Sequence, residues 1–443
     1  MKDQLKNIVG DNAIYDSGNE ISKYVVAGKI PSILVFPTTV EQISKIMKLA
    51  RREKKKIAIF GNNSLGNFGA TIESFDLGIS LNRMNKILSH EVADLTVTTE
   101  AGLNLATLQH SLKSRKQFLP IDPINADNRT LGGIVSANSS GPLRLRYGVC
   151  RDLVLGMKIV QPDGTIIRTG GKTVKNVAGY DLSKLFIGAM GTLGVITEIT
   201  FKLFPLLFDS QTLFVGFDSF DKIPGLVQSI CSSKLVVNRF EYCNCVFAKE
   251  FFNDAIAFSS PHAFILNVQG HSDMVATTVE QLQAMVQNAG AKAIESFAGK
   301  AETKLWDQIN RGDCKDLCLH VQIAVPKSRF GDVVTSVENH SAEQQAPAAI
   351  QSHAGNGIIN LFWDGAIEGN QDKIDNWRST IKLLRQVAES YGGCLIVHRA
   401  PIALRSPEMV WGEQNNSFAF MKAIKSKYDV HQIIAAGRFL GGL

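Results

Sequence analysis

Between Thr130 and Thr197, glycine recurs at intervals that a regular hydrophobic core does not use. The stretch opens Thr130-Leu-Gly-Gly-Ile-Val-Ser136-Ala137-Asn138 and continues Ser-Ser-Gly141-Pro-Leu-Arg-Leu-Arg-Tyr147-Gly148. It resumes as Lys175-Asn-Val-Ala-Gly-Tyr-Asp181 and closes Gly191-Thr-Leu-Gly-Val195-Ile196-Thr197. Glycine serves where a chain turns sharply or lies against a ligand. Small residues fill the gaps, among them Ser139, Ser140, Ala178 and Ala189, whereas cores favour large apolar side chains. Such a lining suits a channel for a flat, phosphorylated molecule, which backbone N–H groups can then reach. A set of Gly-rich β-turns is the plain alternative.

Composition narrows the class. The chain has 443 residues, enough for two to four domains. Its net charge of +6 is small and not blocked into basic runs, so a nucleic-acid surface is not expected. Lys54-Lys-Lys56 reads as a solvated helix end. No N-terminal apolar run suits a signal peptide, and no 18-residue run suits a membrane span. A cytoplasmic location follows as the expectation, at most peripheral at a membrane through partners. The seven cysteines are scattered except for Cys243-x-Cys245 and Cys314-x3-Cys318. None forms the closely spaced run of an iron–sulfur cluster, so reduced, buried thiols are expected.

Taken in order, residues 1 to 30 read as a helical lead-in and a polar linker. A strand is expected over 31–37, and Thr39-Val-Glu-Gln42 has capping-box spacing for a helix. A second strand, 56–60, runs straight into Gly61-Asn62-Asn63-Ser64-Leu65-Gly66. A strand followed by a Gly/Asn/Ser loop can form a nest of N–H groups for a pyrophosphate, although many hairpin loops look alike. It lacks the Gly-x-Gly-x-x-Gly dinucleotide pattern. Strands are expected over 76–81 and 95–100, a helix over 104–114, and a hairpin turning at Pro162-Asp-Gly164. Gly171-Lys-Thr173 is not a P-loop, because Ile166 stands where the first glycine is needed. After Pro205 strands (211–217, 236–247, 263–269, 317–325) alternate with helices (275–289, 300–311, 371–391). This predicts an α+β layer with helices on one side of a sheet.

These motifs resemble the FAD domain of the vanillyl-alcohol oxidase superfamily, the PCMH-type fold. Within it they are similar to the D-lactate dehydrogenase and glycolate oxidase branch, in particular to the FAD-binding E subunits of bacterial glycolate oxidases. The resemblance implies an α+β protein. A two-subdomain FAD-binding domain would span 1–205 and a cap with an antiparallel sheet 206–443. It implies FAD contacts at Gly61, Asn62, Asn63, Ser64 and Leu65, then at Pro120, Thr130, Gly132, Gly133, Ser136 and Ala137. Gly141, Tyr147, Gly148, Gly191, Val195, Ile196 and Arg438 complete the implied set. Relatives that tether FAD through the first loop use a His there, and this loop has none, so non-covalent FAD is expected.

The cap departs from the family pattern. Its catalytic members carry two histidines in the segment matched here by Ser352-His353-Ala-Gly-Asn-Gly-Ile-Ile-Asn360, and those bind a divalent metal. Here His353 keeps the first position and Asn360 takes the second. Where they carry Glu-His, this chain has His398-Arg399. No metal is therefore expected. His353 and His398 are the candidate bases, and the plain alternative for His353 is a hydrogen-bonded residue closing a turn. Arg399 could hold a substrate carboxylate or make a structural ion pair. The resemblance implies a subunit of a 2-hydroxy-acid dehydrogenase acting on glycolate or D-lactate, beside a catalytic flavoprotein and an iron–sulfur subunit. The second reading is an electron-relay or scaffold subunit with FAD and no working substrate site.

Overall fold

The computed structural model describes every residue except 73, 172–179, 253–259, 312–316, 344–345 and 365–370. The segment Lys175–Gly179, with Ala178, and Cys314 lie outside the described residues.

Two main sheets, with a small two-stranded pair of Gln117–Phe118 and Phe204–Pro205 beside them, form the N-terminal part. In the first, Ile33–Val35 and Ile57–Phe60 flank Leu77–Ser80 in parallel, and Ile14–Tyr15 adds an antiparallel edge. The second is antiparallel, in the order Ile87–Glu91, Thr96–Glu100, Val195–Lys202, Val154–Val160, Ile166–Gly170. The helix Val40–Arg52 lays Val40, Ile43, Met47 and Ala50 into the core, as its 3.6-residue period predicts. Its cap differs slightly from the expected box. Thr39 accepts from Gln42 N, but the Gln42 side chain accepts from Thr38 N instead of Thr39 N. The hairpin turns at Gly164 (φ 83°), whose carbonyl accepts a bond from Ser44 Oγ and so ties the helix to the second sheet.

Residues 10 to 30 are not a linker. Tyr24, Val26 and Ala27 are buried with Phe36, Phe60 and Phe75 in a small apolar cluster of their own.

The C-terminal part is built on one eight-stranded antiparallel sheet: Ala293–Ala298, Asp209–Phe217, His262–Gly270, Arg239–Asn244, Ala349–His353, Ile358–Asp364, Leu317–Ala324, Cys394–Arg399. The strand expected to reach 247 stops at Asn244, because the Asn244 side chain caps a new helix, Cys245–Phe251, by accepting from Phe247 N. Alternation along each strand sorts side chains to two faces. Leu213, Val215, Phe240, Tyr242, Phe264 and Leu266 face one core, with the helices Ile223–Ser232, Ser272–Asn288, Phe330–Glu343 and Gln371–Ser390. The other face is divided, which corrects the expectation of helices on one side only. Phe214, Ile265 and Phe362 pack under Cys245–Phe251 and Gly299–Arg311. The rest of that face is polar and meets the N-terminal part.

The chain then returns. Ile434 bridges Ile57 in parallel, with Ile57 N–H donating to Ile433 O and Ala435 N–H to Ile57 O. Ile433, Ile434 and Ala435 are buried in the N-terminal core.

Candidate functional site

The ends of both N-terminal sheets open on a cleft that is partly open to solvent. Loop 61–66 forms one wall. The Asn62, Asn63, Ser64 and Leu65 N–H groups make no hydrogen bond among the described residues. Asn63 takes φ 56° and donates through its side chain to Lys23 O and Val25 O, which fixes the loop. Thr130, Gly132, Gly133 and Ser136 form the opposite wall, and Met190, Gly191, Gly194 and Ile196 complete the lining. Thr130 caps the short helix Leu131–Ala137. The first N–H groups of that helix are already used: Leu131 donates to Leu103 O, Gly132 to Ala101 O and Gly133 to Thr130 Oγ1. The free donors therefore belong to the first loop.

Two buried arginines hold that loop from behind. Arg405 donates to Gly66 O and Gly69 O, and Arg438 to Leu65 O at 2.8 Å and Phe68 O at 3.1 Å. Arg438 also lines the cleft, and its Nε has no partner. Burial pushes both guanidinium groups down to about 10, and Arg405 adds to the effect on Arg438. Both stay charged at neutral pH.

The polar face of the C-terminal sheet meets this loop. Phe68 stacks on His398 (centroids 4.5 Å), His398 lies 4.9 Å from His320, and His320 stacks on Phe362 at 4.4 Å. A register shift at this edge sets Arg399 opposite His320 where His398 would have been, so two successive side chains answer to one. His398 Nε2 is sealed from solvent and has no hydrogen-bond partner. Burial, then His320 and Arg129, hold its proton affinity well below that of a free imidazole. Burial pushes His320 down to about 4, against the bond to Asn360. Both rings are neutral at neutral pH. A chain of bonds continues along the sheet: His320 Nε2 to Asn360 Oδ1, Asn360 Nδ2 to Gln351 Oε1, Gln351 to Glu241, and Glu241 to His353 Nδ1 at 2.7 Å. Burial raises the Glu241 carboxyl, opposed by His353. Nearby, Arg239 Nε donates to Asp122 at 3.1 Å, joining the two parts of the molecule.

The sequence-expected residues sort clearly. Gly61, Asn62, Asn63, Ser64, Leu65, Thr130, Gly132, Gly133, Ser136, Gly191, Ile196 and Arg438 all line the cleft. Pro120, Ala137, Gly141, Tyr147, Gly148 and Val195 do not. Val195 points into the core because it alternates with Ile196 along one strand. Gly141 packs against the backbone of Asp122, and Gly148 against Asp152. Tyr147 stacks edge-on with Phe118 and Phe204. In the cap, Asn360 is engaged at both ends of its amide, and Arg399 makes no hydrogen bond or ion pair among the described residues. No cluster of three or more His, Cys, Asp or Glu with metal-site geometry occurs among those residues. Sequence reading missed Arg405, His320, Gln322, Gln351 and Glu241. The available signal was alternation: in Leu-His320-Val-Gln322-Ile the polar residues share one face.

Comparison with known proteins decides the family. A family described as FAD binding domain matches residues 31–170, and one described as FAD linked oxidases, C-terminal domain, matches 209–439. This chain belongs to the FAD-linked oxidases. Within that family it is 25% identical to glycolate oxidase subunit GlcD of Bacillus subtilis, over 99% of this chain and 96% of the relative. It is 33% identical to the mitochondrial D-lactate dehydrogenase [cytochrome] of Arabidopsis thaliana, over 54% of this chain and 43% of that one. The fold matches p-cresol methylhydroxylase with a TM-score of 0.79, covering 98% of this chain and 95% of that one at 15% identity. That is the PCMH-type fold.

As an FAD-linked oxidase the chain binds FAD and is an oxidoreductase. The cleft fits the cofactor on its own chemistry. It offers unpaired N–H groups, a buried cation with an orphaned Nε, and open space before Gly133 and Gly191. A Cβ on Gly133 would meet only Thr130 Oγ1, and one on Gly191 would meet nothing within 4 Å. No helix among the described residues is long and apolar enough to cross a membrane.

Proposed function

We propose that this chain is the FAD-binding subunit of a 2-hydroxy-acid dehydrogenase, acting on glycolate or D-lactate and passing electrons to an iron–sulfur partner. Residues 1–205 would form the cofactor domain and 206–443 the cap, whose tail returns to the first sheet. FAD would accept hydride from the α-carbon of the acid and be held without a covalent bond. Gly61 to Leu65 and Arg438 would hold its phosphates. Pro120, Ala137, Gly141, Tyr147 and Gly148, which lie off the cleft, would act through packing.

One observation carries the substrate class. A neutral, unpartnered His398 Nε2 stacks on the cofactor loop, with Arg129 and Arg399 both near enough to His320 to depress its proton affinity. That pairing suits a 2-hydroxy acid: cations for the carboxylate, an imidazole for the hydroxyl proton. A bound carboxylate would itself raise the affinity of His398 for that proton. The support from relatives is the naming of a glycolate oxidase subunit and a D-lactate dehydrogenase.

The second reading, a relay subunit with no working substrate site, draws on the same cluster. No carboxylate bonds to His398 or His320, and Asn360 is an amide where catalytic relatives carry a ligand. Anaerobic mixing of the FAD-loaded chain with glycolate, then with D-lactate, separates the readings. Rapid bleaching of the flavin by either acid supports a substrate site. An unchanged spectrum, with bleaching only after partner subunits are added, would leave the relay reading standing.

A further inference from the structure

Three buried cations of the C-terminal segment donate to the two loops that wall the cofactor cleft. Arg405, only 2% exposed, reaches Gly66 O and Gly69 O. Arg438 reaches Leu65 O and Phe68 O. Lys425 donates to Thr192 O at 2.8 Å, to Ile434 O at 2.9 Å and to Asp429 at 2.7 Å. Thr192 follows Gly191 in the second loop. The segment's backbone adds two more bonds, Ala70 N–H to Arg438 O and Thr71 N–H to Arg405 O. Lys425 alone has an acidic partner. Neither arginine has one among the described residues, although each is a buried charge.

Four carbonyls between Leu65 and Gly69 are drawn toward the arginines. The unbonded N–H groups of Asn62 to Leu65 lie at the start of the same loop, which walls the cleft. We infer that Arg405, Arg438 and Lys425 act as a clasp: positioning residues that set the shape of the cofactor loops from outside the N-terminal domain. Retention of FAD then depends on residues far away in sequence, Lys425 and Thr192 being 233 apart and Arg405 and Gly69 336 apart. Arg438, the one of the two arginines that lines the cleft, also presents a charge that no carboxylate among the described residues pairs, which a dianionic cofactor would meet.

The test uses the full chain loaded with FAD and follows flavin release by fluorescence recovery, with far-UV circular dichroism of the apoprotein as the folding control. Arg405→Met should speed release about ten-fold or more, the scale of one charge-assisted hydrogen bond. Arg405→Lys, which keeps the charge but not the fork, should fall between it and the native chain. Lys422→Met, an exposed charge deleted from the same C-terminal helix as Lys425, should release FAD at the native rate. If Arg405→Met fails to fold, Arg405→Lys decides. Native release from a folded Arg405→Met, or from Arg405→Lys in that case, overturns the inference. So does equal acceleration by Lys422→Met.

Discussion

Gly61 and Thr130, 69 positions apart, touch so closely that a Cβ on Gly61 would overlap the Thr130 hydroxyl. The first cofactor loop and the cap of the helix Leu131–Ala137 thus share one contact, and neither can shift alone. Gly61→Ala should force them apart. The expected result is a chain that folds but is isolated with little or no FAD, measured as the ratio of flavin to protein absorbance. Full flavin content would show that the loops can separate without losing the site.

Gly133 tests a different property. Its missing side chain faces Thr130 Oγ1 at 3.2 Å and otherwise open space. Gly133→Val should leave the apoprotein near native stability and block the cofactor. A native flavin spectrum would mean the glycine serves only the helix turn.

His320 makes stability depend on pH. Its folded value of about 4 lies below that of a free imidazole near 6.5. The unfolded chain therefore binds its proton first as pH falls. The penalty is absent above about 6.5 and grows down to about 4, reaching at most roughly 3 kcal/mol. Asn360 opposes the shift, while Arg129 and Arg399 add to it. His320→Phe keeps the stack and cannot charge. The difference in melting temperature between the two proteins should widen in the variant's favour across that window.

Glu241 anchors the polar chain. Replacing it by Leu strands Gln351 Nε2 and His353 Nδ1 in a buried setting. Each lost partner costs about 1–3 kcal/mol. Denaturant unfolding should show a loss of that order or twice it, whereas a change under 0.5 kcal/mol would mean the network relaxes freely.

The cap should hold no stoichiometric divalent metal. His353 Nδ1 is taken by Glu241 and both ends of the Asn360 amide are engaged, so the set lacks the free ligands that fix a cation. Elemental analysis of the purified chain checks this; one zinc or manganese per chain would reverse it.

Much of the cofactor side was legible. Glycines that permit close approach stand in the sequence as themselves, so Gly61, Gly132, Gly133 and Gly191 were found before their contacts were known. The cap was harder. A strand pattern tells which residues share a face, but not that the face opposite the core meets another domain. His320, Gln322 and Glu241 were therefore not singled out, although alternation places the first two on one strand face. Arg405 carried no local signal, because its partners are carbonyls 336 and 339 residues earlier. Val195 lies off the cleft for a simpler reason. A motif names neighbours in sequence, while a strand sends neighbours to opposite sides.

The parallel bridge between Ile57 and Ile434 has a consequence for biosynthesis. The first sheet gains its last edge from Ile434, translated 377 positions after Ile57. Residues 1 to 205 emerge from the ribosome long before that edge exists, and before Arg438 can reach the loop beside it. The nascent FAD domain must wait, incomplete, for the cap to be made. Loading with flavin is then a step that follows synthesis of residues 433 to 438, and deletion of that segment damages a domain made well before it.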